Sequence, residues 1–360
     1  MLALAFAIAL AADDGRAALY VWDRAAGTLE LAALEPKPGL DCVEAPDWGP
    51  DSRTLYFHAG PEGGPRYRPA REGAVVFRLR VADDGSAGPA EEIGAGAWPA
   101  ASPDGRTLAL SEGGSIVVAA ADGSGRRTLG EAEVARWALT EDPAGGPPVA
   151  AGWLLVRTSH TQLGRMSLLT GETTPAAMFS DDSNYLMDFS ALPGGRALVA
   201  DWRGDCTQVV TMPLLPAGED LTPDHPEVET LLDLPYESKM FVSRASLLPG
   251  GRRLGFEVTL TNTALPGGGR VALECDAPVG SADIASSPLE MPAGVRAWDV
   301  AVSPDGRFAA LVSNAWYAES AADADGPLDL AVRRPASVGQ QAGAVEEAFE
   351  VRPLGADVDQ

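Results

Sequence analysis

The stretch from Trp98 to Leu110, Trp98-Pro99-Ala100-Ala101-Ser102-Pro103-Asp104-Gly105-Arg106-Thr107-Leu108-Ala109-Leu110, constrains the fold more than any other because it recurs. Pro103 pre-sets the first corner of a tight turn, Asp104 bonds its own backbone, and Gly105 tolerates positive φ. The alternating Thr107 to Leu110 then reads as a strand leaving that turn. A near copy lies within Trp298 to Val312, as Ser303-Pro304-Asp305-Gly306-Arg307-Phe308, and another within Pro46 to Phe57, as Gly49-Pro50-Asp51-Ser52-Arg53-Thr54. Weaker copies, Leu192-Pro193-Gly194-Gly195-Arg196 and Leu248-Pro249-Gly250-Gly251-Arg252, keep a Pro-Gly-Gly-Arg turn, and Asp142-Pro143-Ala144-Gly145-Gly146 is the weakest. Marked by Pro50, Pro103, Pro143, Pro193, Pro249 and Pro304, the units stand 40 to 56 residues apart.

Each turn is followed by a further strand-like stretch, at 74–81, 115–119, 164–169, 207–212, 270–274 and 328–333, and usually by another apolar segment. Four short strands per period describe a propeller blade, a sheet that buries its faces only against its neighbours. The chain is therefore expected to be all-β: a six-bladed β-propeller of four-stranded antiparallel blades, forming one domain over 13–360. Leu19-Tyr20-Val21-Trp22 and Leu29-Glu30-Leu31 form a hairpin with no turn unit before it. In the six-bladed reading this hairpin completes the sheet begun at Trp298, and 328–351 is an extra flap. In the alternative, the ring has seven blades, one without a recognisable turn. The loops 60–71, 214–227 and 314–327 are expected at blade edges, where binding specificity resides.

The Ser/Gly-Pro-Asp-Gly/Ser-Arg units at Gly49 to Leu55, Ser102 to Leu108 and Ser303 to Ala309 resemble the WD-repeat-like motif of TolB-type six-bladed propellers, and the likeness runs from Ala17 to about Leu354. The resemblance implies the fold but little about activity, since the motif serves periplasmic translocation proteins, peptidase propellers and carbohydrate-processing proteins alike. The α/β domain that precedes the propeller in TolB proper is not in this sequence, and a Tol-complex role is not expected. The sequence contains neither a Gly-x-Ser-x-Gly elbow nor a hydrolase domain after the propeller, which disfavours the peptidase branch. Polyuronate-lyase propellers use a histidine-rich metal site, which the three scattered residues His58, His160 and His225 do not resemble.

Charge narrows the partners. With 51 acidic against 27 basic residues the formal net charge is −24, which argues against nucleic acid and anionic membranes, both of which need a basic footprint. A protein or peptide partner, or a cation, is compatible with it. The three cysteines, Cys42, Cys206 and Cys275, lack metal spacing; Cys206 and Cys275 fall at similar places in consecutive repeats without a pairing being legible. Residues 1–12 form an apolar, small-residue run that is too short to span a bilayer. It reads as a secretory signal without a basic start, which would make the chain periplasmic or secreted; read instead as a buried first strand, it leaves the chain cytoplasmic. No membrane insertion of the mature chain is expected.

Catalytic constellations are scarce. His58 and His160 end predicted second strands, and no pair of histidines has ligand spacing. Asp181-Asp182-Ser183-Asn184 and Asp323-Ala324-Asp325-Gly326 offer hard oxygens that suit calcium, without an EF-hand loop; Asp181 and Asp182 are the candidate metal ligands. The segments entering the first strand of each blade carry Trp48, Trp98, Trp137, Phe189, Phe241 and Trp298, which are either anchors of a binding surface or wedges between blades. Arg136, Tyr185, Lys239 and Arg296 are their polar neighbours. The function expected is a non-enzymatic scaffold that binds a protein or peptide at one channel mouth. The alternatives are a calcium-assisted hydrolase or lyase using Asp181, Asp182 and Asp188, and a carbohydrate-binding propeller with exposed tryptophans.

Overall fold

The Pro-Asp turns fold as closed hydrogen-bonded units, and the hydroxyl and carboxylate of the motif do the closing. A computed structural model describes residues 17–61, 72–140, 149–159, 161–178, 184–192, 195–203, 206–214, 228–235, 238–242, 246–247, 253–262, 270–278, 285–288 and 299–314. In the copy at Ser102 the Ser102 N–H donates to Thr107 O at 2.8 Å and the Gly105 N–H to Ser102 O at 2.9 Å. The Ser102 hydroxyl donates to Asp104 Oδ1 at 2.6 Å and accepts the Thr107 N–H at 3.0 Å, while Asp104 Oδ1 also takes the Arg106 N–H at 3.1 Å. Ser303, Asp305, Arg307 and Phe308 repeat this pattern. The copy at Gly49 lacks the hydroxyl, and Asp51 replaces it by accepting the Thr54 N–H itself at 2.8 Å and the Thr54 hydroxyl at 2.8 Å. Gly105 and Gly306 stand at φ 69° and 72°; Ser52 fills the same place at φ 55° and turns its hydroxyl to the neighbouring turn, accepting the Asp305 N–H at 3.0 Å.

Each described turn joins the first two strands of a sheet. The chain opens with the hairpin β1 (Ala17–Asp23) and β2 (Thr28–Ala33). The first sheet then runs β3 (Cys42–Trp48), β4 (Thr54–Gly60), β5 (Val75–Arg80) and β6 (Glu91–Ala95). The second is β7 (Ala97–Ala101), β8 (Thr107–Glu112), β9 (Ser115–Ala120) and β10 (Arg127–Glu131). The third is β11 (Val134–Thr140), β12 (Val149–Ser159), β13 (Gln162–Ser167) and β14 (Thr173–Met178). The fourth is β15 (Asn184–Leu192), β16 (Arg196–Arg203), β17 (Cys206–Pro213) and β18 (Glu229–Pro235). In the fifth, β19 (Ser238–Val242) and the short β20 (Ser246–Leu247) both pair with β21 (Arg253–Asn262), followed by β22 (Arg270–Pro278) and β23 (Ala285–Pro288).

The sixth sheet closes the chain on itself. β24 (Asp299–Val302) pairs with β25 (Phe308–Asn314), and β25 pairs antiparallel with β1 from Ala17↔Asn314 to Asp23↔Phe308, giving the order β24-β25-β1-β2. The opening hairpin therefore completes the sheet that the late strands begin. One bridge, Ala17↔Cys42, links this sheet to the first. Among the described residues the strands form four-stranded antiparallel sheets of a propeller, the fifth with the short β20 in addition, each touching the next, with β24 and β25 against β3 returning the last to the first. The expected turns at Pro143, Pro193 and Pro249, and the expected flap at 328–351, lie outside the described residues, as do most of the three edge loops.

The core lies between successive sheets, as the propeller geometry requires. Leu55, Phe57, Leu79, Phe308, Ala310 and Val312 pack between the sixth sheet and the first, and Tyr56, Val76, Ile93, Leu108 and Leu110 between the first and second. Every residue of β3 and β4 is buried. Alternation on these strands therefore sends side chains into two seams rather than into core and solvent. Full burial of one such side chain contributes about 1.5–3 kcal/mol.

Candidate functional site

Inner strands enter at one end of the ring and leave through their turns at the other. β3 touches β7, β7 touches β11, β11 touches β15 and β15 touches β19, while β24 touches β3. The entry ends of the first three sheets carry the buried polar residues Glu44, His58, Ser111, Arg136 and Arg157. Glu44 on β3 stands opposite His58 on β4, and their side chains are 4% and 0% exposed. A bulge follows the Glu44 pair, and another follows Ala97 opposite Ser111 in the second sheet. In both, the bulge holds a residue with left-handed φ before a proline: Ala45 at 50° before Pro46, and Trp98 at 52° before Pro99. For a bulky residue this conformation costs about 1–3 kcal/mol and needs support from its surroundings.

His58 supplies part of that support. Its Nδ1 accepts the Trp98 N–H at 3.3 Å, and the imidazole and indole rings lie 5.7 Å apart at a 44° tilt. Its Nε2 stands 3.6 Å from Glu44 Oε2, and the Cys42 thiol donates to Glu44 Oε1 at 3.5 Å. His58, Ser111 and Arg157 hold equivalent positions, opposite Glu44, Ala97 and Val134 near the entry ends of the first three inner strands. Ser111 Oγ donates to Glu133 O at 2.6 Å, so His58 and Ser111 each tie one sheet to the next, whereas Arg157 Nε donates to Glu133 Oε2 at 3.0 Å within its own sheet. Arg136, 9% exposed, donates to Ala135 O at 3.1 Å and lies over the Phe189 ring of the fourth sheet at 5.7 Å, a cation–π arrangement.

The aromatic candidates separate into two kinds. Trp48 is 6% exposed, stacks on Phe308 at 6.1 Å and donates its indole N–H to Ala301 O of the preceding sheet at 2.7 Å. Trp137 does the same with Ala100 O at 2.7 Å and is 9% exposed. Of the two roles open to these rings, the structure gives both that of wedges between sheets. Neither presents a face on which a sugar could stack. Trp98 is half-buried at the entry end, and Phe189 is buried beneath Arg136. Tyr185, Asp188 and Lys239 occupy β15 and β19 at entry ends, with side chains outside the described part. Asp181, Asp182, Arg296 and Trp298 lie outside the described residues. So do His160 and His225. Among the described residues no group of three or more His, Cys, Asp or Glu side chains is arranged to hold a metal ion.

The Glu44–His58–Trp98 cluster is the part that sequence reasoning did not assemble. The available signal was a second echo within the repeat, the X-Pro pairs Ala45-Pro46 and Trp98-Pro99 at the same distance before their turns.

The opposite end is chemically different. Its carboxylates are saturated by local donors: the Ser102 hydroxyl, with the Arg106 N–H, holds Asp104 below the ordinary carboxylate value of 3.8. Asp51 and Asp305 are lowered too, although their burial works to raise them, because backbone and side-chain donors outweigh it.

No family model matches the chain, and no curated relative matches it. The chain is similar to three solved structures at low identity. An oligogalacturonate lyase in complex with manganese is 12% identical over 72% of this chain and 67% of that one, with a TM-score of 0.36. The dihydro-heme d1 dehydrogenase NirN in complex with DHE is 15% identical over 82% and 68%, with a TM-score of 0.35. A chain of a mitotic checkpoint complex is 12% identical over 82% and 81%, with a TM-score of 0.44.

Proposed function

We propose that this chain is a TolB-like propeller of six blades that acts as a non-enzymatic scaffold, holding a protein or peptide segment at the mouth where the inner strands begin. The observation that carries this reading is the asymmetry between the two ends of the ring. At the entry end the half-buried Trp98 stands over the buried His58 and Glu44, with Arg136 against the Phe189 ring nearby, so charge of both signs lies just behind an aromatic rim. At the turn end the polar groups are consumed by the turns themselves. Mixed charge beside aromatic surface suits a peptide, whose backbone and side chains need donors, acceptors and apolar contact in alternation. In this proposal residues 1–12 are an export signal and 13–360 the working domain, periplasmic or secreted.

The test is a peptide-library binding screen on the full chain, repeated with Arg136→Ala and Trp98→Ala at the entry end and Arg53→Ala at the turn end. Peptides bound by wild type are expected to weaken about tenfold or more, about 1.4 kcal/mol, in the entry-end variants and to bind Arg53→Ala unchanged. Binding indifferent to the entry-end changes, or calcium-dependent cleavage of the bound ligand, overturns the proposal.

A further inference from the structure

His58 is wholly buried, yet its hydrogen bonding is only half made. A neutral imidazole has one acceptor nitrogen and one N–H. Because Nδ1 accepts the Trp98 N–H, the ring proton sits on Nε2, facing Glu44 Oε2 at 3.6 Å with no hydrogen bond completed. Trp98 depends on this contact. Its N–H falls inside the bulge between Ala97 and Ala100, where it has no ladder partner, and Pro99 after it has no N–H to offer. Its indole N–H, also buried, has no partner. The chain reaches Trp98 through Gly94 and Gly96 at φ 137° and 134°, a backbone that glycine adopts freely.

We propose that His58 is a protonation latch on Trp98, holding the entry mouth in its present shape when neutral and releasing it when protonated. The consequence for binding rests on the mouth being the binding surface; the latch itself does not. A proton taken up by the ring goes to Nδ1, so that two N–H groups then face each other across the 3.3 Å contact. At the same time the imidazolium is drawn through Nε2 toward the Glu44 carboxylate. The bond that held Trp98 at φ 52° is lost, so the bulge around Trp98 and Pro99 loosens from His58 while the Gly96 N–H stays on Ala74 O at 2.9 Å, and the indole shifts from its packing near Val134, Leu155 and Phe189 and gains solvent.

The groups around the ring are these. β3 presents Glu44 and the Cys42 thiol and, beyond the bulge, Asp47, whose Oδ2 accepts the Ala101 N–H at 2.7 Å. β5 presents Val76 opposite His58 and, farther along, Arg78, whose Nε is held by Glu91 at 2.8 Å. Tyr56 precedes His58 on the same face of β4, and β7 contributes no titratable group.

The latch is tested by following tryptophan emission and acrylamide quenching of the full chain from about pH 8 to about pH 5, the range in which an ordinary histidine titrates. The Trp98 contribution is the difference between wild type and Trp98→Phe. A red shift and stronger quenching are expected in a single one-proton step, absent in His58→Gln, whose amide oxygen accepts the same N–H but does not titrate. A flat Trp98 signal in wild type, or the same step in His58→Gln, overturns the proposal. Should His58→Gln fail to fold, ring nitrogen NMR on wild type decides: Nδ1 must be unprotonated at about pH 8 and gain its proton in register with the emission change, and an Nδ1 already protonated there refutes the latch. None of these readouts uses a ligand. A chain that binds no peptide but shows the step loses the scaffold reading and keeps the latch, and the reverse pattern does the opposite.

Discussion

The two ends of this ring are made from the same repeat and solve opposite problems. At the turn end every carboxylate of the three clear motifs has its donors, and the seam between the sixth and first sheets is strapped by charge. Arg53 crosses it to Asp305 at 3.1 Å and Arg307 crosses it to Asp83 O at 2.5 Å, while each is anchored in its own sheet, Arg53 by Asp83 at 3.1 Å and Arg307 by the buried Asp23 at 2.9 Å. Both guanidinium groups lie over the Phe308 ring, at 5.0 and 4.7 Å. At the entry end the repeat departs from itself: equivalent positions hold His58, Ser111 and Arg157, and a tryptophan occupies a left-handed bulge where the first sheet has alanine. The difference teaches that the motif residues maintain closure, while other positions of the same period are left to differ from sheet to sheet.

That division is most exposed to attack at Trp48. Trp48→Ala removes a buried ring from the closing seam together with its bond to Ala301, and should cost about 3–5 kcal/mol in urea unfolding. A loss below about 1 kcal/mol would mean that the seam is held without it.

The charge strap comes next. Burial tends to raise the Asp23 carboxyl, but the Ala26 N–H, the Arg307 guanidinium and the Ala25 N–H outweigh it and hold the group below 3.8. A carboxyl depressed in the folded state contributes stability that is fully present above its unfolded value and is lost as pH falls through its folded value. Unfolding free energy should therefore drop from about pH 4 downward, and Arg307→Ala should cost about 1–3 kcal/mol at neutral pH and less in acid. An Arg307→Ala penalty that is unchanged at about pH 2 would remove Asp23 from the strap.

The smallest effect is expected at the entry end. Trp98→Gly relieves the left-handed φ while giving up the ring contact with His58 and the packing of its half-buried ring against the core around Val134, Leu155 and Phe189, and the net loss should be about 1 kcal/mol. A loss as large as that of Trp48→Ala would make Trp98 a core wedge like the others and erase the contrast between the ends.

The three clear turns at Pro50, Pro103 and Pro304, the strands that follow them, the hairpin that returns to complete the last sheet and the propeller class were legible in the sequence. The reason is locality: a Pro-Asp-Gly turn is set by the φ preference of Pro and Gly and by side chains bonding their own backbone, and a period of two needs only neighbouring residues. The division of labour among the tryptophans was not legible. Trp48 stands one residue before its turn motif and Trp98 four before, and that offset, combined with a bulge, sends one indole into the seam and the other to the mouth. His58 read as an ordinary strand-end histidine because its partners lie 14 residues back on β3 and 40 residues ahead on β7. Such contacts depend on the register across a bulge and on the packing of one sheet against the next, both of which are fixed only when the ring is assembled.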